Sequence, residues 1–349
     1  MQRRDVIKAG ATLAATTAMP IRVAALDHPS MRQFEVTTTV EIAAPAAGLQ
    51  LWLPVFGSNA AYQKRLAAAW DGTGSGRLRS DASGAELLHV RWSDGAQPQR
   101  VTLVQRLATW ERTRPVAKPV LGGAERARWT ASTAAIPTDG IVAETAQRIV
   151  GSEREPRARL AALYDWVAAN TWRDAATAGC GRGEVASMLR SGRLGGKCVD
   201  ISRLLVALAR AVGLPARDVY GIRLAPSKLS PSLGKGPVIT GAQHCRAEVW
   251  LDDAGWFAVD PADVRKAILE DKLDPAGADV ARLKAHLFGA WEDNWGGYNS
   301  ASGIALPGAI TPARFDFLMY PTAIGASGSA DCLDPAHFTY RIESREIIA

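Results

Sequence analysis

The pattern of apolar and polar positions changes character about a third of the way along the chain. Residues 34–42 read Phe-Glu-Val-Thr-Thr-Thr-Val-Glu-Ile, β-branched and alternating, which predicts a half-buried strand. Residues 49–53 predict a second strand, stopped by Pro54. Residues 87–92 and 100–110 predict two more, set off by turn-rich stretches at 71–76 and 93–98. Short strands at this spacing imply a small β-sandwich or open sheet over residues 26–112. Nothing in it groups His, Cys and carboxylate, so a structural or docking role is expected. Residues 113–137 are rich in Arg, Pro, Gly and Ala without a period and read as a linker.

Helical spacing begins at Asp139. Ile141, Ala146, Ile149 and Val150 share a face, with Thr138 or Asp139 placed to cap. Pro156 opens a second helix at the first-turn position that suits proline. Leu160, Leu163, Tyr164, Val167 and Ala168 make its apolar stripe. Both helices read as packing elements.

The chemistry appears after them, at Gly195-Gly196-Lys197-Cys198-Val199-Asp200. Ile201, Leu204, Leu205, Leu208 and Val212 follow on one helical face, ended by Gly213 and Pro215. Cys198 therefore sits in the first turn of a core helix. Unpaired N–H groups and the positive end of the helix dipole favour its thiolate and could stabilise an oxyanion. Residues 243–251 predict a strand with His244 near its start. Residues 252–255 are a turn, and residues 256–260 return, closing at Asp260. An antiparallel hairpin brings the start of its first strand beside the end of its second. His244 and Asp260 thus share one end, where Asp260 would orient the imidazole and His244 would pair with Cys198.

At these residues the chain resembles the transglutaminase-like superfamily of papain-like Cys-His-Asp enzymes, in a bacterial exported form. The likeness covers residues 172–264. It rests on the Gly-x-Cys helix, on Ala209-Arg210-Ala211-Val212-Gly213-Leu214-Pro215-Ala216-Arg217, on the His244 strand, and on Gly255-Trp256-Phe257-Ala258-Val259-Asp260-Pro261. The resemblance implies that Cys198 is nucleophile, His244 general base and acid, and Asp260 the orienting carboxylate. It implies an α+β fold: a Cys-bearing helix on an antiparallel sheet bearing His and Asp, over residues 138–264. Residues 265–349 are expected to pack on that core as a C-terminal extension, with a short helix at 280–287 and a final strand at 338–342.

The implied reaction is acyl transfer on an amide. Water as second nucleophile makes a peptidase or amidase; an amine makes a crosslinking transglutaminase. Hydrolysis is favoured because transamidation demands a site closed to water. Peptide, peptidoglycan crosspeptide, isopeptide and protein glutamine all fit as substrates in the cell envelope. A non-catalytic envelope binding protein on the same fold is a further alternative. No cofactor and no metal are expected: zinc held by Cys180, Cys198, His244 and Cys245 would lack a CxxC or HxxxH pair. Disulfide exchange would also need CxxC. Cys245 reads as core filler or as half of a disulfide with Cys180 or Cys332. Gln243 and Trp295 are weaker candidates for substrate contact, and residues 224–240 read as a mobile surface loop, a candidate lid.

Composition narrows the setting. The 349 residues carry 41 Lys+Arg against 35 Asp+Glu, a formal charge of +6. Residues 1–25 open with Arg3-Arg4, continue into a short apolar run and reach Val23-x-Ala25, the pattern of a twin-arginine export signal cut after Ala25. That segment holds Arg3, Arg4, Lys8 and Arg22 against Asp5, half of the net charge. The remainder is nearly neutral, so the charge does not point to nucleic acid, and no later run is long and apolar enough to suggest a membrane span.

Overall fold

The computed structural model describes residues 31–42, 46–95, 98–112, 120–309, 314–326, 328–330, 332–334 and 338–347. The expected export signal lies outside them. The fold is α+β. Its N-terminal part is built on two five-stranded sheets. One runs in the order Phe338–Glu346, Arg32–Ile42, Gln99–Thr109, Gln63–Gly72, Asn59–Ala60. The other runs Gly328–Ala330, Thr322–Gly325, Gln50–Pro54, Glu86–Arg91, Ser75–Ser80. Val40, Val101 and Leu103 of the first meet Leu51, Leu53, Leu88 and Val90 of the second in a common apolar core.

Five of these strands were not predicted: Asn59–Ala60, Thr322–Gly325 and Gly328–Ala330, which are too short for a period to show, and the longer Gln63–Gly72 and Ser75–Ser80. Gln63–Gly72 is rich in Ala and largely solvent-facing, and Ser75–Ser80 is mostly exposed, so neither carries the apolar alternation that marks a buried strand. The last strand also departs from expectation. Phe338–Glu346 does not simply pack on the core; it pairs antiparallel with Arg32–Ile42 along its length, Ile42 opposite Phe338 and Phe34 opposite Glu346. The described part of the expected linker is ordered. Gly123–Thr130 is a helix, and buried Trp129 lies under the guanidinium groups of Arg128 and Arg217, 4.6 and 5.4 Å from its ring centroid. Of the arginines that give this stretch its linker-like composition, Arg128 stacks on that ring and Arg126 pairs with Asp252 at 2.7 Å.

The remaining core centres on the Cys198–Ala211 helix, whose residues 198–210 are all buried. It packs on a four-stranded antiparallel sheet in the order Gly255–Val259, Gln243–Leu251, Ala216–Arg223, Trp295–Asn299. The Gly140–Val150 and Pro156–Asn170 helices cover the Cys198 helix. Polar residues on this helix are accommodated by pairing. Arg203 is fully buried and meets Asp218 at 3.4 Å and the Tyr220 hydroxyl at 2.9 Å.

The sandwich is clamped to this sheet through a glycine strand. Both amide atoms of Gln63 bond the backbone of Gly297, each at 2.7 Å. A side chain at Gly296 would come within 2.8 Å of Leu107 and Phe56. Glycine is required here because the Leu107 and Phe56 side chains occupy the space that a Cβ would take.

Candidate active site

The first turn of the Cys198 helix is held by a carboxylate. Asp200 Oδ1 accepts from the N–H groups of Arg182 (3.0 Å) and Gly183 (2.8 Å), while Oδ2 accepts from Lys197 N–H at 2.9 Å. The residue 179–183 loop thereby lies across the helix start. Gly181 and Gly183 have φ of +93° and +68°, and a Cβ at Gly181 would fall 1.8 Å from Asp200 Oδ2. The glycines around Cys180 are thus required by backbone conformation and close approach. Val199 N–H donates to Cys180 O at 2.9 Å, so that first-turn donor is occupied. The Cys198 N–H has no acceptor among the described residues.

The loop brings Cys180 to Cys198. All four cysteines are free, so the expected alternative of a disulfide at Cys245 is not realised. Cys198 is pulled well below the usual thiol range by hydrogen bonding from Cys180 and Cys245, then by His244, against the opposing effect of burial. The same contacts, with burial, push Cys180 and Cys245 up. These contacts favour the anion on Cys198 over its two neighbours. Tyr320 donates to Cys180 Sγ at 3.0 Å, tying the loop to the C-terminal segment.

His244 and Asp260 meet as the hairpin reading requires. Ala247 pairs with Val259, so His244 runs on past the ladder on the side where Asp260 emerges. His244 Nε2 lies 2.8 Å from Asp260 Oδ2. Asp260 does more than end a strand. It is the N-cap of the Pro261–Glu270 helix, and its Oδ1 accepts from Asp263 N–H at 3.0 Å. This helix was missed, although Asp-Pro followed by Ala-Asp carries its start signal, a capping Asp with Pro at the first turn.

That helix delivers a second carboxylate, also missed. Asp263 Oδ1 lies 3.3 Å from His244 Nε2, and Arg223 grips Asp263 with two guanidinium nitrogens. Arg246 Nε stands 3.3 Å from Asp260 Oδ2. All five groups are buried. Burial and Arg223 push the imidazolium down, but Asp263 and Asp260 outweigh them, and His244 is held above its ordinary value. Burial raises Asp260, reinforced by Asp263, whereas Arg223 holds Asp263 below the carboxylate range despite burial. His244, Asp260 and Asp263 are also the one trio of metal-ligand type among the described residues, their atoms within 4.8 Å. The two guanidinium groups already balance its carboxylates, which leaves little attraction for a cation.

Above this network lies a cleft of about 440 Å³, lined by Cys180, Cys198, His244 and Gln243 with Arg173, Lys197, Lys235, Lys266 and Tyr340. Gln243 is one of the lining residues. Its Oε1 is buried without a hydrogen-bond partner. Trp295 does not line the cleft and corrects its expected role. It is 1% exposed, donates from Nε1 to His244 O at 3.1 Å and packs against Gly221. The expected mobile loop is likewise fastened. Leu233 O accepts from Arg223 at 2.6 Å, Ile239 N–H bonds Ile342 O at 2.9 Å, and Ser232 Oγ bonds Asp271 at 2.8 Å.

A family model described as the transglutaminase-like superfamily matches residues 143–261, which span the Cys198 helix, the His244 strand and Asp260. The chain belongs to the transglutaminase-like superfamily. An uncharacterised protein of Haemophilus influenzae is 31% identical over 339 residues, covering 90% of this chain and 91% of that one. Among solved structures, a candidate cysteine protease from Cytophaga hutchinsonii superposes with a TM-score of 0.54 at 15% identity, covering 91% of this chain and 92% of that one. This second likeness is one of fold, and it extends over the sandwich as well as the superfamily core. Among the described residues no helix is long and apolar enough to cross a membrane.

Proposed function

We propose that this protein is an exported thiol hydrolase that cleaves amide bonds, with Cys198 as nucleophile, His244 as general acid and base, and Asp260 as the orienting carboxylate. The observation that carries the reading is the depressed Cys198 thiol sharing one cleft with a His244–Asp260 pair 2.8 Å apart. Asp260 holds Nε2, which leaves Nδ1 for the sulfur. The lowered thiol and the raised imidazole both favour a thiolate–imidazolium pair, which would need no separate deprotonation step.

Cys198 attacks the amide carbonyl, and its own N–H is the natural first donor to the oxyanion. His244 gives its proton to the leaving amine, and the acyl group remains as a thioester. Water enters, loses its proton to His244 and releases the acid, restoring the pair. Hydrolysis is preferred to transamidation because the cleft reaches exposed Lys235 at its rim and is lined with polar groups, which admits water. Gln243 positions the substrate amide through its unpartnered Oε1. The opening Arg3-Arg4 segment is the export address.

The test compares the protein and its Cys198→Ala variant on a peptide mixture prepared from bacterial envelope. Cleavage products that appear only with the parent protein, unchanged in pattern when an excess of a primary amine is added, support a hydrolase. Products joined to the amine would show an acyl transferase, and identical product lists for both proteins would remove Cys198 from the chemistry.

A further inference from the structure

The buried groups around His244 balance one another. Asp263 is neutralised by Arg223, Asp260 faces Arg246, and Cys198 faces His244. The charge that a substrate meets is therefore set by the remaining lining residues. Among the described residues these are Arg173, Lys197, Lys235 and Lys266 against a single carboxylate, Glu270. Arg173 and Lys266 share that carboxylate, Arg173 Nε at 2.5 Å and Lys266 Nζ at 3.3 Å. One acid cannot neutralise both. Among the described residues Lys235 meets a backbone carbonyl, Thr240 O at 2.9 Å, and no carboxylate. Lys197 stands beside Cys198 in the chain with no carboxylate partner among the described residues.

Lys235 is exposed at the rim, but the inner cations are not a solvated surface patch. Arg173 and Lys266 side chains are each only 17% exposed, and burial lowers the pKa of Lys266. Cations held in a concave, partly desolvated site without full neutralisation favour a complementary anion. Arg173 is fixed beside the nucleophile because Trp172–Arg173 pairs in parallel with Gly195–Gly196, placing it opposite Gly196. The unpartnered Gln243 Oε1, on a residue 7% exposed, adds an acceptor for a substrate N–H on the same wall.

We propose that the cleft selects acyl substrates bearing a carboxylate close to the scissile amide, held by Arg173, Lys197, Lys235 and Lys266. This rests on the thiol-hydrolase reading above and names the substrate class for it. The carboxylate is an acidic side chain or a free C-terminus, and the cationic wall serves either.

The test needs no prior substrate. Iodoacetate and iodoacetamide alkylate the same sulfur and differ in charge, so their rate ratio at Cys198 reads the potential of the cleft. At low salt iodoacetate is expected to react faster, by about threefold or more, and half-molar salt should erase the advantage by screening. Lys235→Gln and Arg173→Gln should each lower the ratio, with iodoacetamide as the internal control for a folded site. Protection of Cys198 by short acetylated peptides then separates the sources: Glu against Gln with amidated ends, and free against amidated C-termini. Iodoacetamide reacting as fast as iodoacetate or faster at low salt, or no protection by any carboxylate-bearing peptide, would overturn the anionic-substrate proposal alone. A folded protein whose Cys198 resists both reagents would instead defeat the thiol-hydrolase reading.

Discussion

Asp260 meets His244 with one carboxylate oxygen and caps the next helix with the other. This carboxylate is therefore locked by secondary structure on both sides, by the end of a hairpin and by the start of a helix. Such a residue separates catalysis from capping, because Asn caps a helix about as well as Asp. Asp260→Asn should lower kcat/KM by about 10²-fold to 10⁴-fold, while thermal stability falls far less. A variant whose activity falls only in proportion to its folded fraction would show that Asp260 serves structure alone.

Asp263 acts on the same imidazole from one helical turn further on. It raises the His244 pKa, so its removal must lower it. The imidazolium would then be lost at lower pH. In Asp263→Asn the alkaline limb of the kcat/KM profile should move to lower pH, while the acid limb, set by the thiol, moves less. An alkaline limb left in place would mean that Asp263 does not act on His244.

Arg223 and Asp263 form a buried ion pair whose Arg side chain is 4% exposed and whose Asp side chain is 1% exposed. Removing one partner leaves the other charge unpaired in the core. Arg223→Met should cost about 3–5 kcal/mol in urea unfolding. The loss should be smaller in Arg223→Met with Asp263→Asn, because no orphaned charge remains, and equal losses in the single and double variants would contradict the pairing.

Trp295 supports the His244 strand from beneath. Trp295→Ala should destabilise the protein by about 3–5 kcal/mol, as expected for deleting a buried ring. For the folded fraction, KM should change little, since the ring is not on the cleft wall. A large KM increase with unchanged stability would restore Trp295 as a substrate contact.

The Cys198 helix and the His244 hairpin were legible because local periodicity and turn chemistry determine them. Apolar residues at helical spacing, a Gly-Pro stop and an Asp-Asp-Ala-Gly turn need no tertiary information. Trp295-Gly296-Gly297-Tyr298 carries no strand signal, because glycine pairs usually mark loops. Here they lie in a strand, Gly296 opposite Ile222 and Gly297 opposite Gly221, and Gly297 also takes both amide atoms of Gln63 from another sheet. The partners of Arg223 and Arg246 were equally invisible: each cation meets a carboxylate 14 to 40 residues distant in the chain. The closing strand joined the N-terminal sheet for a similar reason. Its alternation fixes which face is buried, but nothing local names the strand that it pairs with.

The central claim is that Cys198 carries the acyl group between bond cleavage and hydrolysis. Rapid acid quenching of the protein with envelope-derived peptides, followed by digestion and mass spectrometry, observes that species directly. The account predicts a mass increase confined to the peptide bearing Cys198, labile to hydroxylamine as a thioester is, and absent from Cys198→Ala. An acyl adduct on Cys180 or Cys245 instead, or turnover with no adduct on Cys198 under conditions where deacylation is slowed, would contradict it.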